Sequence, residues 1–170
     1  QMIASGEADI VIAGGMESMT NAPYLAQGAR GGFRYGNTEL QDAIIKDGLW
    51  CAFDACLMGL GTDRYTDGKI SRQEQDDLAM KSNVRAAAAI AAGRLSDEIV
   101  EVAVPQRKGD PVMVKNDEGV RADTTMDTLG GLKPAFDKDG TITAANASQI
   151  SDGGSAVVMM SKKAAEARGI

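Results

Sequence analysis

Histidine is absent from the 170 residues, so this chain alone supplies no Ser-His-Asp triad, no Cys-His dyad, no HExxH zinc site and no imidazole base. Cysteine is nearly absent too: Cys51 and Cys56 cannot build a disulfide framework, and no metal-ligand spacing occurs. Basic charge is short, with 18 Lys plus Arg against 24 Asp plus Glu and a net charge of −6, which disfavours a surface that neutralises nucleic-acid phosphates. Aromatic residues make up only 4% of the chain. No apolar run approaches the ~20 residues of a membrane span, since residues 86–92 are alanine with one isoleucine, and nothing resembles a signal peptide. These absences lead to the expectation of a cytoplasmic protein without a metal, a nucleic acid or a membrane as partner.

What remains, 44% hydrophobic and 25% charged residues, is the composition of a soluble globular domain. Residues 1–5 read as the last turn of a helix with Gly6 as its C′ glycine. Residues 162–168 read as a helix closed by Gly169, and both ends read as cuts through a larger protein. Residues 8–13 (Ala-Asp-Ile-Val-Ile-Ala) form an apolar, β-branched run between glycines, the pattern of a strand buried on both faces. Helix, glycine, buried strand is an α/β signature. The following Gly14-Gly15 is either the edge of a site or an ordinary exit from the strand.

Residues 23–48 are glycine-rich and lack periodicity, which predicts an irregular excursion; Arg30 and Arg34 within it could meet a phosphate or a partner, or simply be solvated. Residues 50–60 mix apolar residues with both cysteines. The clearest helix starts at Ser71, where Ser71-Arg72-Gln73-Glu74 spells a capping box, and runs through the alanines to Gly93. Asp76, Asp77, Lys81 and Arg85 are expected on its solvated face as i, i+4 pairs. Residues 99–104 and 112–115 predict a hairpin around Gly109-Asp110-Pro111. A strand is expected at 141–144, another at 156–160, and the long stretch between the first and last strands is expected to fold as a lobe of its own.

Chemistry-bearing groups are sparse. Neither thiol has a neighbouring cation, base or helix N-terminus in the sequence, so both read as buried structural cysteines. The small, polar segment 143–155 could present a hydroxyl and backbone groups to a ligand, with Ser148 as donor; equally, Asn146 and Ser148 could be turn and capping residues.

The segment Gly6-Glu7-Ala8-Asp9-Ile10-Val11-Ile12-Ala13-Gly14-Gly15-Met16-Glu17-Ser18-Met19-Thr20, with Asn21-Ala22-Pro23, closely resembles the stretch that follows the nucleophilic-cysteine helix of thiolases. Further matches run in thiolase order and spacing: Asp47-Gly48-Leu49, Met58-Gly59, Ile70 to Asp76, Leu132-Lys133-Pro134-Ala135-Phe136, Asp139-Gly140-Thr141-Ile142-Thr143-Ala144 and Asn146-Ala147-Ser148. The resemblance spans essentially the whole chain. It implies a partial thiolase fold, α/β in class: residues 1–22 as the end of the N-terminal half, 23–140 as an inserted α+β loop domain that holds coenzyme A, and 141–170 as the start of the C-terminal half.

Thiolases exchange acyl groups between an active-site cysteine and coenzyme A, and form or cleave the carbon–carbon bond of a 3-ketoacyl-CoA. By resemblance, the nucleophilic cysteine would precede Gln1 and the Asn, His and second Cys motifs would follow Ile170, so no catalytic residue is expected in this chain, and the chain by itself should not turn over. The resemblance implies coenzyme A as substrate rather than as resident cofactor, and a homodimer or homotetramer of the parent. By motif position Ser148 is similar to the hydroxyl that meets the pantetheine amide, and Arg121 to the side chain beside the adenosine. Leu49, Met58, Ala135, Phe136 and Ala144 are similar to positions lining the adenine and pantetheine channel, and Leu57 and Met58 to the acyl end of the pocket. Two departures stand out. Leu57 occupies a position that is His in many thiolases, and Ala145 stands where Thr-Ala-Gly-Asn-Ala-Ser has glycine. Leu57 and the absence of histidine raise the alternative of a thiolase-like protein that binds acyl-CoA without catalysis.

Overall fold

The computed structural model describes residues 1–170. Along the chain lie β1 (Ile10–Glu17), β2 (Tyr24–Leu25), β3 (Gln41–Asp42), β4 (Trp50–Cys51), β5 (Cys56–Leu57), α1 (Met58–Thr66) and α2 (Arg72–Ala91). There follow β6 (Val102–Val104), β7 (Val112–Val114), α3 (Met126–Gly130), β8 (Gly153–Met160) and α4 (Lys162–Glu166). The chain divides into two compact units, one of residues 1–48 with 150–170, the other of residues 49–149.

The first unit begins with the expected helical turn. Gly6 takes φ +79°, its N–H donates to the Ile3 carbonyl, and the Glu7 N–H reaches back to Met2, the paired bonds of a Schellman stop. β1 then pairs antiparallel with β8 in full register, Ile10 facing Met160 and Glu17 facing Gly153. Two expectations fail here. The strand does not end at Ala13 but continues through Gly14-Gly15, and a side chain at Gly14 would meet the Ser155 carbonyl oxygen at 2.5 Å, so this glycine serves close strand approach rather than a turn. Nor is the strand buried: Ile12 is 73% and Met16 88% exposed, and Val157 and Val158 opposite are exposed as well. Burial of both faces needs covering layers, and here β1 has a single partner strand. Residues 23–48 are irregular as expected, with the short β2–β3 pair, a 3-10 turn at Ala29–Gly31 and a π turn at Ile44–Gly48. Thr20 N–H donates to the Asp152 carboxylate at 2.9 Å, which holds the Asp152 pKa below its ordinary 3.8 and ties the exit of β1 to the approach of β8.

In the second unit the β4–β5 hairpin leads straight into α1, a helix that its glycine-broken sequence does not announce. α2 carries the predicted capping box: the Ser71 hydroxyl accepts from the Glu74 N–H, and the Glu74 carboxylate accepts from the Ser71 N–H at 2.8 Å. That bond, the Ser71 hydroxyl bond after it, holds the Glu74 pKa below its ordinary 4.5. The helix stops at Ala91, with Gly93 in the left-handed region at φ +67° and the Arg94 N–H bonded back to Ala89. β6 and β7 form the expected hairpin, shorter than its sequence pattern. The centre of this unit is largely polar. Asp63, Asp76 and Thr143 are buried beside Cys56, Leu129 and Ile142.

The accessible surface of the chain is 13865 Å². Most of the large hydrophobic side chains, those of the β1–β8 pair included, are exposed.

Candidate functional site

Residues 141–149 are organised from below by two carboxylates. Asp63, inside α1 and 7% exposed, receives three hydrogen bonds on Oδ1: from the Thr141 N–H at 2.8 Å, the Ile142 N–H at 3.0 Å and the Thr141 hydroxyl at 3.2 Å. Its other oxygen, Oδ2, is buried with no partner and lies against Gly140, where any side chain would collide with it. Asp76, 2% exposed, accepts from Arg72 Nε at 2.6 Å and from Asn146 Nδ2 at 3.0 Å. Asp76 is therefore not on the solvated face of α2, as its spacing suggests, but at the heart of the unit, whereas the expected Asp77–Lys81 pair is on the surface. The Arg72 guanidinium also donates to the Leu129 and Leu132 carbonyls, at 2.6 and 3.2 Å, anchoring the end of α3.

Asn146 closes the arrangement. Its Oδ1 accepts from the Thr143 N–H at 2.7 Å while its amide donates to both Asp76 and the Thr141 carbonyl. Gln75 adds a bond of 2.8 Å to the Thr141 hydroxyl. These bonds explain why no strand forms at 141–144: the amides of Thr141, Ile142 and Thr143 are taken by side chains, so they cannot join a ladder, and residues 144–146 turn instead. Asn146 is thus a turn-fixing residue, as the second reading of this segment has it. Ser148 lies just beyond, exposed, on the segment that Asn146 fixes.

The remaining sequence-picked residues fall into two neighbourhoods. Around the start of α1, the Met58 N–H donates to the Leu49 carbonyl at 2.9 Å, Leu57 pairs with Trp50 across the hairpin, and the Phe136 ring lies directly on Gly59. The Ala135 N–H donates to the Ile142 carbonyl at 2.8 Å, which brings residues 135–136 alongside the stretch leading to Ala144. Leu49, Leu57, Met58, Ala135 and Phe136 thus gather around the start of α1, with Met58 and Phe136 exposed, and Ala144 lies two residues beyond the Ile142 carbonyl that Ala135 reaches.

The second neighbourhood is a cleft of about 430 Å³ between one face of α2, residues 117–120 and residues 145–149. Its walls mix apolar Leu78, Ala79 and Val120 with polar Asn83, Asn146 and Gln149, and its volume is that of a small-molecule site. Arg121 and Ser148 do not line it but adjoin residues that do. The Arg121 N–H donates to Asn83 Oδ1 at 2.9 Å, and the Gln149 amide donates to the Gly119 carbonyl at 3.3 Å. Sequence reasoning missed Asn83, Gln149, Asp63 and Asp76. The first two sit mid-helix and in a loop without a motif, and Asp63 and Asp76 look like surface acids because nothing local marks their burial. Of the thiols, Cys56 is buried and Cys51 partly so.

No group of His, Cys, Asp or Glu is placed to hold a metal ion, and no helix is long and apolar enough to cross a membrane. Comparison with known proteins gives one consistent result. The family described as "Thiolase, N-terminal domain" matches residues 1–163. The chain is 50% identical over 171 aligned residues to a probable acetyl-CoA acetyltransferase of Mycolicibacterium smegmatis, covering 100% of this chain and 44% of that protein. It is 48% identical to an acetyl-CoA acetyltransferase of Cupriavidus necator, covering 99% of this chain and 43% of the relative. Among solved structures, the acetyl-CoA acetyltransferase from Syntrophomonas wolfei superposes with a TM-score of 0.87 at 42% identity, covering 99% of this chain and 42% of that one. The Bacillus anthracis acetyl-CoA acetyltransferase gives the same TM-score at 38% identity, with 99% and 43% covered. The chain thus spans less than half the length of these relatives.

Proposed function

The chain belongs to the thiolase family, and on that premise we propose that it is the coenzyme A-holding part of a longer acyltransferase that moves acyl groups between an active-site cysteine and coenzyme A and cleaves or forms a 3-ketoacyl-CoA. The relatives' names support the acyl-transfer class. In this reading residues 23–140 are the loop domain that holds the coenzyme. The flanks, 1–22 and 141–170, belong to the α/β halves; residues 141–170, expected to open the C-terminal half, are assigned here to the first half instead, a change supported by the pairing of β1 with β8 and by the N-terminal-domain match running to residue 163. The longer protein is cytoplasmic and a homodimer or homotetramer, and it supplies the nucleophile, the base and the oxyanion donors, none of which is carried by this chain.

One observation carries the assignment of the site: a single cleft is lined by the chain neighbours of both Arg121 and Ser148, the two residues picked for opposite parts of one long ligand, and by Asn83, to which the Arg121 N–H donates. The adenosine end lies in the cleft, where Asn83 and Gln149 offer amide donors and acceptors and Leu78 and Val120 an apolar wall. Pantetheine passes Ser148 and Ala144 towards Met58, Ala135 and Phe136, with Leu49 behind Met58 and Leu57 at the acyl end. Apolar walls with a few polar fixings suit a long, thin ligand. Two coenzyme fragments test this in the longer protein. Asn83→Ala weakens binding of adenosine 3′,5′-bisphosphate and leaves pantetheine unaffected, and Phe136→Ala does the reverse; a common loss for both fragments, or none, overturns the assignment.

Leu57 and the lack of histidine favour a second reading, a protein that binds acyl-CoA without catalysis. Saturable acyl-CoA binding with no thiolysis by the longer protein would select it.

A further inference from the structure

Cys51 and Cys56 are directly opposite one another in the antiparallel β4–β5 hairpin, separated by only the four loop residues 52–55. Facing residues of an antiparallel pair have Cα atoms about 4.5 or 5.5 Å apart, depending on whether they share hydrogen bonds, and both separations lie within the roughly 4.4–6.8 Å that a disulfide spans. Their side chains leave the same face of the hairpin, because side-chain direction alternates along each strand. Both thiols are free. Their surroundings differ. The Cys51 S–H donates to Asp54 Oδ2 at 3.3 Å and its sulfur accepts the Asp54 N–H at 3.4 Å, at the loop end of the hairpin. Cys56 is buried, with its sulfur against Gly61 on α1.

We propose that Cys51 and Cys56 form a reversible cross-strand dithiol–disulfide pair, a modification site that takes small-molecule disulfides of the glutathione class as oxidant. Cys51, the more accessible sulfur, gives up its proton to solvent and its contact with Asp54. It attacks one sulfur of the small disulfide, forming a mixed disulfide and expelling one thiolate. Cys56 then loses its proton and its sulfur attacks the Cys51 sulfur, forming the Cys51–Cys56 bond and expelling the second thiolate; the two expelled thiolates take up, through solvent, the two protons that the cysteines lost, so the cysteine pair is oxidised and the small disulfide is reduced to two thiols. The order follows from burial, since the enclosed thiol is the resolving one. The bond would staple the hairpin that leads directly into Met58 and α1, so oxidation stiffens the entry to the apolar neighbourhood without consuming any group assigned to coenzyme binding.

The test equilibrates the longer protein with defined ratios of oxidised to reduced glutathione, natively and in urea, with the state of Cys51 and Cys56 read by differential alkylation and peptide mapping by mass spectrometry. The expected result is loss of both thiols as one intramolecular Cys51–Cys56 linkage, with an equilibrium constant for oxidation at least about tenfold larger in the native protein than in urea. Cys56→Ser should instead trap a glutathione adduct on Cys51, and Cys51→Ser should leave Cys56 largely unmodified. Equal constants in the two states, linkage of either cysteine between chains, or a glutathione adduct that persists on Cys51 of the unsubstituted protein would each overturn the proposal.

Discussion

Replacing Asp63 with alanine tests the polar hub on which the candidate site rests. Oδ1 of Asp63 serves the amides of Thr141 and Ile142 and the Thr141 hydroxyl, and the Ile142 bond is buried. A donor left buried without an acceptor costs about 1–3 kcal/mol. With one such amide fully enclosed, a second partly so and the hydroxyl able to turn elsewhere, the loss is about 2–5 kcal/mol. Against the ~5–15 kcal/mol that holds a whole domain, that is enough to release residues 141–149 locally. Hydrogen exchange reads this directly: at 1.4 kcal/mol per factor of ten, the Thr141 and Ile142 amides should exchange roughly 30- to 4,000-fold faster in Asp63→Ala. Asp63→Asn keeps an acceptor oxygen where Oδ1 stands, so its effect should be much smaller. Exchange at both amides within about threefold of the unsubstituted protein in Asp63→Ala would refute the hub, since no buried bond worth keeping is that weak.

Other perturbations follow from the same structure. Ser71→Ala removes the cap of α2 and should cost about 1 kcal/mol in denaturant unfolding. Because its bonds to Ser71 lower the folded pKa of Glu74, its contribution is complete above the ordinary value of 4.5 and is lost as the pH falls through the lowered value; amide exchange in the first turn of α2 should accelerate on acidification, and Glu74→Gln should abolish that dependence. Ser148→Ala in the longer protein should weaken coenzyme A binding by about 0.5–1.5 kcal/mol by calorimetry, the worth of one net hydrogen bond; unchanged affinity contradicts its role. The 170-residue chain alone, with its β1–β8 pair open to water, should melt without a sharp cooperative transition in near-ultraviolet circular dichroism.

How much of this was legible in the sequence depends on the range of the interaction. Features written within a few residues were readable: the Ser71–Glu74 capping box, the glycine stops at Gly6 and Gly93, the hairpin around residues 105–111. Features that depend on distant partners were not. Residues 141–144 have strand composition, yet Asp63, 78 residues away in sequence from Thr141, takes the amides a strand would need. Asp76 has the spacing of a surface acid, and only its bond to Asn146, 70 residues on, marks it as buried. β1 has the pattern of a doubly covered strand because the pattern reflects what covers a strand, while the exposure seen here reflects the single partner it has. For the candidate site, collinear motifs picked out residues that the fold gathers into two neighbourhoods; the cleft itself, formed by Asn83 and Gln149 with residues 117–120, had no local signature.

Amide-resolved titration of the longer protein with coenzyme A is the most direct test of the account. Saturable shifts at Val120, Arg121 and residues 145–149, continuing through Ala144 to Phe136 and Met58, are the predicted result. Saturable binding that leaves those amides unmoved, or no binding at all, would contradict it.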